Sequence, residues 1–293
     1  MNKRVAVTGV GVVSPIGIGK EAFWDSLISG RCGIGPVTHF DASSYPCKLA
    51  AEINDFQPSD FMSPQSARRL SRGTQFAIVA TQKSIADAHL DLTQVNDPSR
   101  VGLVYGTALG PMDIYEKFGA TFYERGLKRV SPIFLAMMNY NAMIAAIAEA
   151  FNIRGFNTAI SSGCSSGNVA IANAYYTIAR GGADVVITGG VDTPIYPLTF
   201  GLYAASNSLA TSNGDPKKIL CPYDKRRSGF LLGEGAATLV LEEMEHAQKR
   251  NARIYAVLLG CGLTNDANNL ALSSPETRDS IKAFQIALSE SGL

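Results

Sequence analysis

One alternation, repeated along the chain, constrains its fold more than any other feature. Short β-branched runs that exit on glycine are separated by stretches with helical spacing of apolar residues. Val5–Val10, Val101–Gly106, Asp184–Thr188, Ala236–Glu242 and Ile254–Gly260 read as strands, the first two buried on both faces. Between them, Lys20–Ser29 forms a short amphipathic helix carrying Phe23, Trp24 and Leu27, stopped by Gly30. A long helix is expected from about Gln65 to His89, with Arg68, Arg69 and Arg72 in its polar start. Gly110–Arg129 reads as a helical excursion and Phe134–Phe151 as a largely buried helix. Glu243–Arg250 adds a turn or two, and Glu276–Ser291 a last helix. Gly11–Gly19 reads as a loop, Gly33–Pro64 as a proline-rich surface loop and Tyr203–Phe230 as mostly loop. Strands and helices alternating at these lengths imply an α/β layered fold.

Within that frame the run Asn157-Thr-Ala-Ile-Ser-Ser-Gly-Cys-Ser-Ser-Gly167 stands out. A strand over Thr158–Ser161 leads into Gly163 and Cys164, and a helix runs from Ser165 to about Arg180, ending at Gly181-Gly182. A cysteine on a sharp strand-to-helix turn projects its sulfur outward. The helix N-terminus beneath it supplies partial positive charge and free N–H groups that favour negative charge on sulfur. Such turns present nucleophiles in several folds. The competing reading is a small buried cysteine packing as a hydrophobe.

The 293 residues are 46% hydrophobic and 17% charged with a net charge of +1, enough for a large core that needs no staples. That balance gives no reason to expect nucleic acid or a membrane surface as partner. Cys32, Cys47, Cys164, Cys221 and Cys261 are odd in number, widely spaced and without a C-x-x-C pair, which argues against a disulfide framework or a zinc site and for a reducing cytoplasm. The apolar run behind Met1-Asn-Lys-Arg is split by Gly9, Gly11, Pro15 and Gly17, unlike a signal peptide. Pro132–Phe151 is interrupted by Asn139, Asn141 and Glu149, unlike a membrane span.

Arg4-Val-Ala-Val-Thr-Gly-Val-Gly11 is echoed by Arg253-Ile-Tyr-Ala-Val-Leu-Leu-Gly-Cys-Gly262 in opening charge, β-branched strand and Gly-x-Gly exit. The echo divides the chain into a unit over residues 1–250, carrying the cysteine, and the beginning of a related unit over residues 251–293. A half-repeat leaves a sheet edge and helix faces uncovered, so the rest of that second unit is expected to be missing or to come from another chain.

Taken in order, these motifs resemble the β-ketoacyl-acyl carrier protein synthases, the condensing enzymes of fatty-acid and polyketide assembly. They are Val5-Ala-Val-Thr-Gly-Val-Gly-Val-Val-Ser-Pro-Ile-Gly17, Phe40-Asp-Ala-Ser-Ser-Tyr-Pro46, Ser131-Pro-Ile-Phe-Leu-Ala-Met-Met138 and Gly163-Cys-Ser-Ser-Gly167. Ala183-Asp-Val-Val-Ile-Thr-Gly-Gly190, Pro222-Tyr-Asp-Lys-Arg-Arg-Ser-Gly-Phe230 and Gly233-Glu-Gly-Ala236 complete the set. Asp192-Thr-Pro-Ile195 after the cysteine is closest in kind to the ketosynthase subunits of type II polyketide systems. The resemblance implies a thiolase-like α/β fold, layered α-β-α-β-α when complete. It implies Cys164 as the acyl-accepting nucleophile, with its own backbone N–H as one oxyanion donor. Leu109, Phe134 and Tyr203 fall where the family lines its acyl tunnel, although core packing would use the same residues. Arg68 and Arg69 match the basic surface on which relatives dock the acidic acyl carrier protein, although a solvated helix face would look the same. Subunits of the family pair through the strand before the nucleophile, here Asn157–Ser161, giving a homodimer or a heterodimer with a chain-length-factor-like subunit. No metal or bound cofactor is implied, because phosphopantetheine arrives on the carrier. Glu234 and Asp224 are read as structural carboxylates, Glu234 near the active-site floor.

The family's two catalytic histidines, in His-Gly-Thr and Gly-His motifs of its C-terminal half, have no counterpart in these residues. His39 is expected in a surface loop, His89 at a helix end and His246 on a solvated helix. The chain is therefore expected to hold the nucleophile without completing the decarboxylation site. Asn268-Asn269 stands where relatives often carry Tyr-His. Two other readings fail on the residues. A dinucleotide site at Gly9-x-Gly11 lacks the third glycine, has Pro15 in the way, and has no acidic residue at the right distance. A serine hydrolase would need a Gly-x-Ser-x-Gly elbow. The remaining rivals are a non-catalytic chain-length-factor-like partner, which ordinarily lacks the cysteine, and a scaffold.

Overall fold

The computed structural model describes residues 3–211, 214–269 and 273–293. From the N-terminus the elements are β1 (Val5–Ser14), β2 (Gly17–Ile18), α1 (Lys20–Ile28), β3 (Gly35–Pro36) and β4 (Leu49–Ala50). Next come α2 (Pro64–Ala67), α3 (Arg72–Asp87), β5 (Val101–Gly106), α4 (Met112–Arg125), α5 (Ile133–Met137) and α6 (Asn141–Phe151). Then follow β6 (Asn157–Ile160), α7 (Ser166–Ala179), β7 (Val185–Asp192), α8 (Pro197–Ala205) and α9 (Pro216–Ile219). The chain closes with β8 (Gly235–Glu243), α10 (Met244–Lys249), β9 (Ala256–Leu258) and α11 (Arg278–Ser291).

The main sheet runs β2-β1-β8-β7-β5-β6, with β9 also paired to β1. β5, β6 and β7 are mutually parallel, and β8 runs against both β7 and β1. The strands alternate between two cores, as a period of two requires. Leu103, Tyr105 and Ile187 face α3 and α6, meeting Phe76, Ala80, Ile144 and Ile147. Val104 and Val186 face the other way, onto Ala170, Ala174 and Ile178 of α7. A third cluster joins Cys47 and Leu49 to Ile195, Phe200 and Leu232. Burying a side chain such as Phe76, which also meets Phe56 edge-on at 4.7 Å, contributes about 2 kcal/mol. No helix among the described residues is long and apolar enough to cross a membrane.

The paired glycines of the N-terminal strand have a packing role. A Cβ at Gly9 or Gly11 would strike the backbone of α3 at Ser84 and Ala80. The same contact recurs at the echo, where a Cβ at Gly260 or Gly262 would strike the backbone of α11 at Ala287 and Ala283. Gly9-x-Gly11 is thus a seat for a helix within a strand, not a phosphate loop.

Several boundaries differ from the sequence reading. Gly11–Ser14 belongs to β1, because β8 and the short return strand β2 pair its backbone. The helix expected over 65–89 is broken. Pro64 opens α2, and the Ser71 hydroxyl accepts the Thr74 N–H at 3.1 Å to begin α3 afresh. The helix expected over 134–151 breaks likewise, between Met137 and Asn141. Gly33–Pro64 does not keep to the surface, since Cys47, Leu49, Ile53 and Phe56 are buried in it. Gly189 and Gly190 do not close β7, because β8 pairs with both and carries the strand on to Asp192. The loop expected over 203–230 contains α9 and the end of α8; Ser212 and Asn213 within it, like Met1 and Asn2 at the start, lie outside the described residues.

His246 is not solvent-bound. Its Nδ1 lies 2.6 Å from Oε1 of the fully buried Glu242, which also accepts two hydrogen bonds from Arg250 at 2.7 and 2.8 Å and one from Thr8 at 2.9 Å. Burial alone would push the Glu242 carboxyl up, but Arg250, His246 and Thr8 outweigh it and hold the carboxyl below its ordinary value of 4.5. A folded-state value below the unfolded one adds stability that is fully present above pH 4.5 and lost as pH falls through the folded value. Glu242→Ala should cost about 3 kcal/mol or more in urea unfolding, because it strands Arg250. Melting curves taken from pH 7 down to pH 3.5 should fall more steeply for the parent than for the variant. Parallel curves would refute this role for Glu242.

Candidate active site

Cys164 lies on the turn between β6 and α7, exposed, one residue before the N-cap of the helix. Gly163 turns the chain with φ 60°, a left-handed conformation that glycine adopts without cost. The two serines after the cysteine staple this turn. Ser166 Oγ accepts the Ser162 N–H at 2.9 Å and donates to the Gly163 carbonyl at 2.5 Å. Ser165 Oγ donates to the Ser162 carbonyl at 2.8 Å. Sequence reasoning took these serines only as small polar residues, yet they define the direction in which the sulfur points.

Beneath the turn, α7 begins directly on the ends of two strands. Gly190 of β7 abuts Gly167, and a Cβ there would stand 3.2 Å from the Gly167 Cα. A Cβ on Gly106, the last residue of β5, would overlap the Ser166 carbonyl and the Gly167 nitrogen. These are backbone atoms and cannot swing aside.

The cysteine opens onto a cleft of about 620 Å³ lined by Phe23, Gly106, Asp192, Glu234 and Ala236 among others. Glu234 is buried in its floor. Its carboxylate accepts Nε and Nη2 of Arg72 at 2.8 and 2.7 Å and the Ile53 N–H at 2.8 Å. Arg72 Nη2 also donates to the Ile53 carbonyl at 2.7 Å. Arg72 therefore joins the start of α3 to the cleft floor, a role the expected continuous helix hid. Its backbone N–H donates to Asp113 at 2.9 Å. Burial pushes the Asp113 carboxyl up, and its other oxygen has no hydrogen-bond partner. The structural reading of Glu234 fits this geometry. Asp224 lies apart, in a turn where it pairs with Arg226 at 2.9 Å.

The other sequence candidates separate. Tyr203, on α8, stands near Cys164: burial pushes its phenol up, and the neighbouring Cys164 and Asp192 add to the shift. Leu109 donates its N–H to Asp192 at 2.9 Å. Phe134, on α5, packs its ring against Phe118 of α4, and Leu109, Phe134 and Tyr203 all stand outside the residues lining the cysteine cleft. Arg68 and Arg69 lie in the turn between α2 and α3, both exposed and neither in an ion pair among the described residues. His39 is nearer the site than a surface loop implies. Its side chain is 23% exposed, with Nδ1 3.8 Å from Glu52 and Nε2 4.0 Å from Glu234. His89 is exposed at the end of α3, and none of the three histidines lines the cleft. Among the described residues no group of three histidine, cysteine or acidic side chains could hold a metal ion. In the segment of Asn268-Asn269, Asp266 accepts the N–H groups of Asn268 and Ser274.

A helix–sheet–helix unit that holds a cysteine on a strand-to-helix turn over an open cleft is the arrangement expected of a thiolase-like fold. The family described as "Beta-ketoacyl synthase, N-terminal domain" matches residues 2–247. The chain is 37% identical to "3-oxoacyl-[acyl-carrier-protein] synthase 2" of Coxiella burnetii over 99% of its length and 70% of the relative's. It is 36% identical to the protein of that name from Synechocystis, with the same coverage. Among solved structures, "The ishigamide ketosynthase/chain length factor" superposes with a TM-score of 0.90 at 28% identity, covering all of this chain and 71% of that one. A beta-ketoacyl synthase from Burkholderia phymatum gives 0.89, also at 28% identity, covering 99% and 71%. The chain belongs to the beta-ketoacyl synthase family.

Gly106→Ala should displace the α7 turn. The expected result is a loss of about 1–3 kcal/mol in denaturant unfolding, as for other overpacked sites. Alkylation of Cys164 by iodoacetamide should slow by about tenfold in the same variant, since a displacement near 1 Å costs rate steeply. Unchanged stability and labelling would show that the seat has room.

Proposed function

We propose that this protein is a condensing enzyme, a 3-oxoacyl-[acyl-carrier-protein] synthase in which Cys164 accepts the acyl chain. The observation that carries the reading is the exposed sulfur at the head of α7, over an open cleft, in a member of this family. In the first half-reaction the Cys164 thiolate attacks the carbonyl carbon of an acyl thioester on the carrier's pantetheine. A carbon–sulfur bond to Cys164 forms, the bond to pantetheine breaks, and the departing thiolate takes a proton. In the second, a malonyl thioester loses carbon dioxide, and its electron pair becomes an enolate. The enolate carbon attacks the acyl carbon, the bond to Cys164 breaks, and a β-ketoacyl thioester leaves on the carrier. The Cys164 N–H is one donor to the oxyanion of these steps, which preorganised N–H groups stabilise strongly. The decarboxylation half calls for imidazoles, and none of the three histidines of this sequence lines the cleft.

The reading extends to partners. Arg68 and Arg69, exposed beside the start of α3, suit an acidic carrier protein that brings phosphopantetheine with it, so no resident cofactor is required. Leu109 and Tyr203 then border the acyl chain near Cys164, and Phe134 a more distant part of its path. β6 ends the strand order of the sheet, so its outer edge is open to pairing with a second subunit, identical or chain-length-factor-like. A cytoplasmic location accompanies a pathway run on a soluble carrier. A non-catalytic chain-length-factor role is disfavoured by the presence and exposure of Cys164.

Acyl-carrier thioester should add one acyl group to the intact protein, visible as a mass increase that Cys164→Ala abolishes. If Cys164 is neither acylated nor rapidly alkylated at neutral pH, the enzyme reading fails. Arg68→Glu and Arg69→Glu should each weaken carrier binding by about 1 kcal/mol, close to fivefold, with the difference shrinking as salt rises. Equal binding at low salt would remove these arginines from the docking surface.

A further inference from the structure

The helix α8, which carries Tyr203 to the neighbourhood of Cys164, has no cap of its own. Its N-cap is Tyr196, whose side chain makes no cap hydrogen bond, and Pro197 at the first position has no N–H to offer. The next N–H groups have no carbonyl within the helix and need an acceptor from elsewhere. Glu116 of α4 supplies it: Oε1 accepts the Thr199 N–H at 3.0 Å and the Thr199 hydroxyl at 3.2 Å. Thr199 is buried, so an unmet N–H there would be costly.

The same face of α4 serves a second helix. Asp113 lies three residues before Glu116, about one turn away on the same side. Its Oδ2 accepts the N–H of Arg72, the first residue of α3, at 2.9 Å. Two helices thus begin on two carboxylates of a third, and helix N-termini carry the partial positive charge that suits carboxylates. Each of the two leads to a different part of the cysteine site. From α3, Arg72 reaches Glu234 in the cleft floor through two hydrogen bonds. From α8, Tyr203 stands near Cys164 and packs edge-on against Phe230 at 5.7 Å.

We infer that Glu116 is a positioning residue, with Asp113 as its companion: from one face of α4 they cap α8 and α3, and Glu116 thereby sets Tyr203 beside Cys164 for acceptance of the acyl chain. The inference rests on Cys164 accepting acyl groups. Glu116 is not among the residues lining the cleft, so it acts through α8 and not on the substrate. The path is short. Tyr203 lies four residues after Thr199, one turn further along the same side of α8, and a packed helix carries a shift at one position to the other.

The test compares two reactions of Cys164 in the intact protein, acylation by an acyl-carrier thioester and alkylation by iodoacetamide, each read at that residue by peptide mass. Acylation needs the donor seated beside Tyr203, whereas the small reagent needs only the sulfur. Glu116→Ala should slow acylation at saturating donor by about tenfold and leave alkylation within about twofold, since misplacing a group that orients the donor costs rate steeply. Glu116→Gln keeps an oxygen acceptor and should recover most of the loss. Tyr203→Ala should slow acylation as well, and the double variant should be little slower than Tyr203→Ala alone, as for residues that act through one another. Should Glu116→Ala not fold, Thr199→Val removes the hydroxyl bond only and should show the same split at smaller size. Unchanged acylation in a folded variant, an equal fall in both reactions, or additive losses in the double variant overturns the inference. If the parent itself accepts no acyl group, the acyl-accepting reading fails and this inference with it.

Discussion

The first turn of α7 rests against bare backbone at the ends of β5 and β7, and the site depends on that contact. Gly106 and Gly190 carry no side chain where Ser166 and Gly167 come down, so the helix starts closer to the sheet than residues with a Cβ would allow. Everything the chemistry needs inherits that placement: the sulfur lifted by Gly163, the serines that fasten the turn, and the helix end that faces the cleft. A close-packed interior transmits such a constraint because it has no slack to absorb it. On the other side of the sheet, β1 approaches α3 closely by the same device, through Gly9 and Gly11.

Around this seat the molecule places its charged groups with care for their partners. Glu234 under the cleft has Arg72, and Glu242 at the far end of the sheet has Arg250, Thr8 and His246. Each carboxylate is buried, and each is surrounded by donors that replace the water it gave up. Both join segments far apart in the chain, so each doubles as a fastening: Glu234 between α3 and the cleft floor, Glu242 between β8, α10 and the end of α3. Asp192 follows the same logic with three neutral donors.

Much of this was legible in the residues. Five β-branched runs are strands, and the cysteine turn lies where the glycine and serines placed it, because local patterns of period and turn chemistry act over a few residues. What was misjudged shares one cause. Gly11–Ser14 and Gly189-Gly190 look like loop but are strand, because β8, distant in sequence, supplies their hydrogen-bond partners. The serine at 71 looks like helix interior but starts a helix, and Arg72 looks solvated but pairs with a carboxylate 162 residues away. His246 looked solvated for the same reason, its partner being a residue that β8 buries.

The sequence by itself determined the class of fold and the family, and singled out the cysteine as its candidate nucleophile, since strand period, a cysteine at a helix N-terminus and an ordered set of motifs are local properties. Only the tertiary structure decided which residues surround that nucleophile. It brought Asp192 to the segment after β5, Arg72 to Glu234, Tyr203 toward Cys164, and set Phe134 against Phe118. Those pairings depend on strand order and helix docking, which are set by long-range burial and backbone pairing rather than by anything written in a single stretch of chain.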